Sequence, residues 1–118
     1  MTSRVTTHIL DASTGAPAVG VGVVLARASG GAVVAEAGGP IIARGRTDAE
    51  GRLAIGPDDL PPDTYTLTFR TGEYFAELGV ETFYPHVAVT FTIPAGEPRH
   101  HHVPLLLSPF AYSTYRGS

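Results

Sequence analysis

The sequence predicts an all-β fold: an antiparallel β-sandwich of about eight short strands in two sheets, with one short helix. Three observations predict it. Runs of β-branched and aromatic residues alternate with polar ones, the period of a half-buried strand. Clusters of Gly, Pro, Asp and Ser punctuate these runs at roughly 8–12-residue spacing. Only one stretch carries apolar residues at helical spacing. The chain has 118 residues, the size of one domain, taken here as 1–118, and enough to bury a core without staples. It has no β-α-β alternation, no phosphate-cradling glycine motif and no helical repeat.

Residues 3–10 form the first expected strand, with Val5, Thr7 and Ile9 on the core face and Thr6, His8 and Leu10 on the other. Residues 11–17 are a turn cluster. Residues 19–27 follow as a strand with alternating valines, then a short strand over 32–37. Residues 41–47 are the next strand, with Arg44 and Arg46 on the face opposite Ala43 and Gly45. Asp48-Ala49-Glu50-Gly51 reads as a hairpin-type connection into a strand over 52–55. After a proline-rich loop, residues 64–70 alternate, with Tyr65, Leu67 and Phe69 on one side. Residues 71–78 are the helix: Thr71 as cap, Tyr74, Phe75 and Leu78 as its apolar spacing, Gly79 as its stop. Strands over 86–93, 100–107 and 111–115 complete the fold.

Composition narrows the function classes. Apolar residues make up 43% and charged residues 16%, a thin charge layer that suits a chain partly covered by a partner subunit. The net charge of −3 and scattered arginines argue against nucleic acid as a partner. There is no cysteine, so neither a disulfide nor a thiolate site is available. A zinc site would need histidine and carboxylate alone. No apolar stretch is long enough to cross a membrane and no signal peptide is evident, so the expected location is the cytoplasm.

The chemistry-bearing residues collect near the end of the chain. In the last long strand His101, Val103, Leu105 and Leu107 take the core face. His100, His102, Pro104 and Leu106 take the other, so His100 and His102 face outward as His8 does. Imidazoles suit proton transfer near neutral pH, and a guanidinium such as Arg46 suits a carbonyl-rich or anionic ligand. On pattern alone three readings stay open: a solvated polar edge, a zinc site on His100 and His102, or an acid–base cleft.

A resemblance bears on the choice. The ending H-H-V-P-L-L-L-S-P-F-A-Y-S-T-Y-R-G-S over 101–118 closely resembles that of the 5-hydroxyisourate hydrolases, the transthyretin-like enzymes of purine catabolism. T-H-I-L-D-A-S-T-G-A-P-A at 7–18, G-R-T-D-A-E-G-R at 45–52 and Y-F-A-E-L-G-V-E-T-F-Y-P at 74–85 resemble the family's other motifs, in the same order. The resemblance implies the transthyretin-like sandwich and a homotetramer, a dimer of dimers, with active sites in the channel between dimers. It implies hydrolysis of 5-hydroxyisourate to 2-oxo-4-hydroxy-4-carboxy-5-ureidoimidazoline in urate degradation, with no cofactor and no metal. Carried over motif by motif, the catalytic residues fall on His8, Arg46 and His102. The substrate-binding set adds His100, Tyr115, Arg116 and Ser118. His101 stands where an aromatic is common. The alternative within the same fold is a non-enzymatic carrier of small aromatic ligands; carriers of this family have lysine where His8 stands here.

Overall fold

The computed structural model describes residues 4–28, 40–96 and 99–117. The strand expected over 32–37 and the site residue Ser118 lie outside them. Among the described residues nine strands and one helix follow in order: β1 (Arg4–Asp11), β2 (Ala16–Pro17), β3 (Gly22–Arg27), β4 (Ile41–Arg46), β5 (Arg52–Ile55), β6 (Asp63–Phe69), α1 (Thr71–Glu77), β7 (Val87–Ile93), β8 (His100–Ser108) and β9 (Ala111–Thr114). One sheet runs β2-β1-β8-β9, with β5 also on β1; the other runs β4-β3-β6-β7. No helix among the described residues is long and apolar enough to cross a membrane.

The alternation read from the sequence sets the core. Val5, Ile9, Leu25, Tyr65, Leu67, Phe69 and Leu105 are fully buried between the sheets, with Val23, Val87 and Leu107 beside them. Fully burying one such side chain stabilises by roughly 1.5–3 kcal/mol. A one-residue slip of β1 or β8 would turn a whole row outward, so this pattern fixes register and with it the outward row of histidines.

Several elements differ from expectation. One strand pair runs parallel: β1 lies beside β8, from Arg4 opposite His100 to Asp11 opposite Leu107. The Asp48–Gly51 turn closes no hairpin. It has the local hydrogen bonds of one, Asp48 N–H to Arg52 C=O and Gly51 N–H to Asp48 C=O, yet β4 pairs β3 in one sheet and β5 pairs β1 in the other. The turn carries the chain between layers. The strand expected from residue 19 starts only at Gly22, because Thr47 ties the preceding loop: its Oγ1 donates to Ala18 C=O and accepts from Val21 N–H. Thr71 is the first residue inside α1 rather than its cap; Arg70 holds the cap position, with no side-chain hydrogen bond capping the helix. Phe75 is buried, but Leu78 is exposed. Gly79 ends the helix with φ +69°, as its lack of a Cβ permits. Pro104 is buried although its strand position faces outward. The returning chain reaches it: Thr114 Oγ1 donates to Pro104 C=O.

Asp11 has a larger role than its place in a turn cluster suggests. Its carboxylate is fully buried and accepts from Ser13 N–H, Ser13 Oγ and Tyr74 Oη. A buried carboxylate needs such donors, and these tie the end of β1 to α1.

Candidate active site

Three strands build a polar cluster on the outer face of the first sheet. With Val5 and Ile9 committed to the core, Thr6 and His8 of β1 face outward. With Val103 and Leu105 committed, His100 and His102 of β8 do the same. Parity in β5 runs back from buried Ile55, leaving Arg52 and Ala54 exposed. Strand pairing sets Thr6 opposite both His102 and Ala54, and His8 opposite Arg52. Thr6, Asp48, Arg52, Ala54, His100 and His102 border one hollow of about 340 Å³.

Hydrogen bonds orient all three rings. Thr6 Oγ1 lies 2.5 Å from His100 Nε2 and 2.8 Å from His102 Nδ1. This leaves His102 Nε2 outside the Thr6 bond. His8 Nε2 lies 2.9 Å from Glu50 C=O. A carbonyl only accepts, so His8 carries a proton on Nε2, and Nδ1 is the bare nitrogen of its neutral form. The Glu50 carbonyl is placed by a tight turn. Gly51 has φ +75° there, and a Cβ on it would stand 2.6 Å from Ile9 C=O, so only glycine fits.

Electrostatics favour a neutral His102. Burial, then the nearby His100, His8 and Arg52, push its pKa below the usual histidine value. A neutral imidazole at neutral pH can accept a proton. Asp48 is held below the usual carboxylate value by the backbone N–H groups of Arg52 and Glu50. Its Oδ1 accepts from both, which stiffens the turn into Arg52. Among the described residues no three of the His, Asp and Glu side chains form a group that could hold a metal ion.

The structure sorts the residues read from the sequence. It brings His8, His100 and His102 onto one face. It does not bring Arg46 to them: Arg46 sits on β4 in the other sheet, opposite Gly22, and its guanidinium donates to Gly20 C=O. The arginine beside the histidines is Arg52. The central motif holds two arginines, and the backward parity from Ile55 was the signal that selects the second. Tyr115 and Arg116 border a different hollow of about 290 Å³, together with Val89, Phe91 and His101; His102 borders both hollows. Gly117, absent from the sequence-derived set, pins the chain end. Its N–H donates to His102 C=O.

Fold and face together define a transthyretin-like β-sandwich with a cluster of histidines and an arginine on one outer surface. The chain belongs to the HIUase/Transthyretin family, whose sequence profile matches residues 5–117. It is 43% identical over 113 residues to the 5-hydroxyisourate hydrolase of Salmonella typhimurium, covering 94% of this chain and 78% of that protein. The structure of Klebsiella pneumoniae 5-hydroxyisourate hydrolase superposes with a TM-score of 0.82 at 42% identity, covering 98% of this chain and 99% of that one. Sea bream transthyretin in complex with thyroxine also gives a TM-score of 0.82, at 32% identity over 96% of this chain and 93% of that one.

Proposed function

We propose that this protein is a hydrolase that opens 5-hydroxyisourate to 2-oxo-4-hydroxy-4-carboxy-5-ureidoimidazoline in urate degradation. One observation carries the reading: in a chain about as similar to named 5-hydroxyisourate hydrolases as 42–43% identity, strand pairing gathers His8, Arg52 and His102 on a single face. The substrate is a planar, carbonyl-rich ring that water must attack. His102 Nε2 takes a proton from that water as it adds to a ring carbonyl. Arg52 holds the oxygen on which negative charge develops; one such donor is typically worth 10²–10³-fold in turnover. His102 then returns that proton to the departing ring nitrogen, and His8, its Nε2–H held by Glu50 C=O, lines the same face. Arg46 has no part in this scheme.

A homotetramer, a dimer of dimers, and a cytoplasmic location belong to the same proposal. Leu106, Val19, Phe110 and Tyr112 are exposed on the monomer, and a neighbouring copy would cover them. The carrier reading has weaker support, since the transthyretin match is at 32% identity and His8 stands at the position where carriers have lysine.

The test is direct. Urate oxidase generates 5-hydroxyisourate from urate in the cuvette, and its ultraviolet decay is followed with and without the protein. Strong acceleration is expected, and decay at the spontaneous rate overturns the function. Tight binding of a thyroid-hormone-like aromatic without turnover would establish the carrier instead.

A further inference from the structure

The Thr6 hydroxyl has one hydrogen and two imidazole neighbours. It lies 2.5 Å from His100 Nε2 and 2.8 Å from His102 Nδ1. A hydroxyl bonded to two ring nitrogens donates to one and accepts from the other. The protonation patterns of the two rings are therefore coupled. In one arrangement His102 carries its proton on Nδ1 and donates to Thr6, while Thr6 donates to a bare His100 Nε2. His102 Nε2 is then bare and can act as a base. In the other arrangement His100 Nε2–H donates to Thr6, Thr6 donates to a bare His102 Nδ1, and His102 carries its proton on Nε2. It can then act as an acid.

We propose that Thr6 is a positioning residue for the hydrolysis, linking His102 to His100 so that His102 alternates between base and acid, with His100 as the proton reservoir. The inference rests on the function proposed above. The protons balance. As water attacks, its O–H bond breaks and an Nε2–H bond forms on His102. The Nδ1 proton of His102 passes to Thr6, and the Thr6 proton passes to His100 Nε2. The positive charge thus ends on His100. The reverse shift restores Nδ1–H on His102 as its Nε2 proton goes to the leaving nitrogen.

Burial and charge fit these roles. His102 is half-buried and His100 exposed, so the cation forms on the ring that water reaches more easily. The two ring centroids stand 6.1 Å apart, and the hydroxyl spans the gap. Ala54, opposite Thr6 on β5, offers no competing polar group. The charged and titratable groups facing the pair are His8 and Arg4 on β1, Arg52 on β5 and Asp48 in the turn before it. Burial, then His100, His8 and Arg52, disfavour a lasting charge on His102.

The experiment compares Thr6→Val, which keeps shape and removes the hydroxyl, with Thr6→Ser, which keeps the hydroxyl. Thr6→Val is expected to lower kcat about 10²-fold, the low end of what a positioned acid–base group supplies, with KM nearly unchanged. Thr6→Ser is expected to recover most of that loss and the wild-type pH profile. Adding His100→Gln to Thr6→Val should cost nothing further, because both changes cut one chain. Nitrogen-15 shifts of the His102 ring should move in Thr6→Val and stay in Thr6→Ser. Wild-type kcat and pH profile in Thr6→Val, or losses that multiply in the double variant, would overturn the relay. His102→Asn separates the two levels of the argument. If it turns over normally, the acid–base assignment itself is wrong; if it is crippled while Thr6→Val is not, only the relay fails.

Discussion

Gly117 lies against the imidazole of His102. A methyl group built on its Cα would stand 2.5 Å from the ring Cδ2 and 3.2 Å from Pro104 Cγ. Two rigid rings leave it nowhere to go. The absence of a side chain at this position is thus part of how His102 is held.

Gly117→Ala should therefore push the His102 ring out of place while the strands stay intact. A displacement near 1 Å at a reacting group can cost about 10²-fold. The expected result is a drop of that order in kcat with an unchanged thermal midpoint. Full turnover in this variant would show that the ring accommodates the methyl group without loss.

The two arginines of the central motif should separate cleanly. Arg52→Gln removes the guanidinium opposite His8 and should lower kcat/KM by about 10²–10³-fold, the range for one oxyanion donor. Arg46→Gln removes a bond to the Gly20 carbonyl on the other sheet and should leave kcat/KM within about twofold, as for a surface change with a small effect on stability. Steady-state kinetics of the pair decide it, and the reverse ranking would return the role to Arg46.

His101 should make the fold acid-sensitive. It is buried, and its Nε2 has no hydrogen-bond partner among the described residues. Burial, then the charges of Arg116, Arg99 and His100, lower its pKa. In the unfolded chain it titrates near 6.5. Below that pH the unfolded state binds a proton that the folded state refuses, so stability falls as pH falls, until the folded ring is protonated too. His102 shifts the same way and contributes the same sign. His101→Phe should raise stability at neutral pH by about 1 kcal/mol, by removing an unsatisfied buried polar atom. It should also flatten, without abolishing, the loss on acidification. Urea melts between neutral and mildly acidic pH measure both effects, and an unaltered slope would mean that the ring ionises freely where it is.

Tyr74→Phe tests the tie between β1 and α1. It deletes the 2.8 Å bond to Asp11 Oδ2 and leaves that fully buried carboxylate, among the described residues, with Ser13 alone. The expected cost is about 1–3 kcal/mol. Burial, then the Asp11 bond, push the Tyr74 hydroxyl up to about 12. The wild type should thus lose stability as pH rises above the free-tyrosine value, where only the unfolded chain ionises, and the variant should lose less. Denaturant melts at neutral and alkaline pH would refute the tie if the two proteins behave alike.

Much of this was legible in the sequence because strand parity is a local property. The outward row of His8, His100 and His102 follows from where the valines, isoleucine and leucines of β1 and β8 must go, and the motif resemblance points to the same side chains. What was less legible depends on partners far along the chain. The Asp48–Gly51 turn has hairpin chemistry, but β5 is claimed by β1 rather than β4. That choice moves Arg52 to the histidines and leaves Arg46 behind. Asp11 reads as a turn residue until Tyr74 arrives 63 positions later. The coupling of His100 to His102 through Thr6 appears only once β1 and β8 lie in parallel register.

That parallel pairing has a kinetic corollary. Thr6 and His102 are 96 positions apart, and bringing such distant segments together is slow compared with forming neighbouring hairpins. During refolding from denaturant, catalytic competence should therefore lag behind the early optical signals of sheet formation, since the first and eighth strands must meet before any proton can be moved.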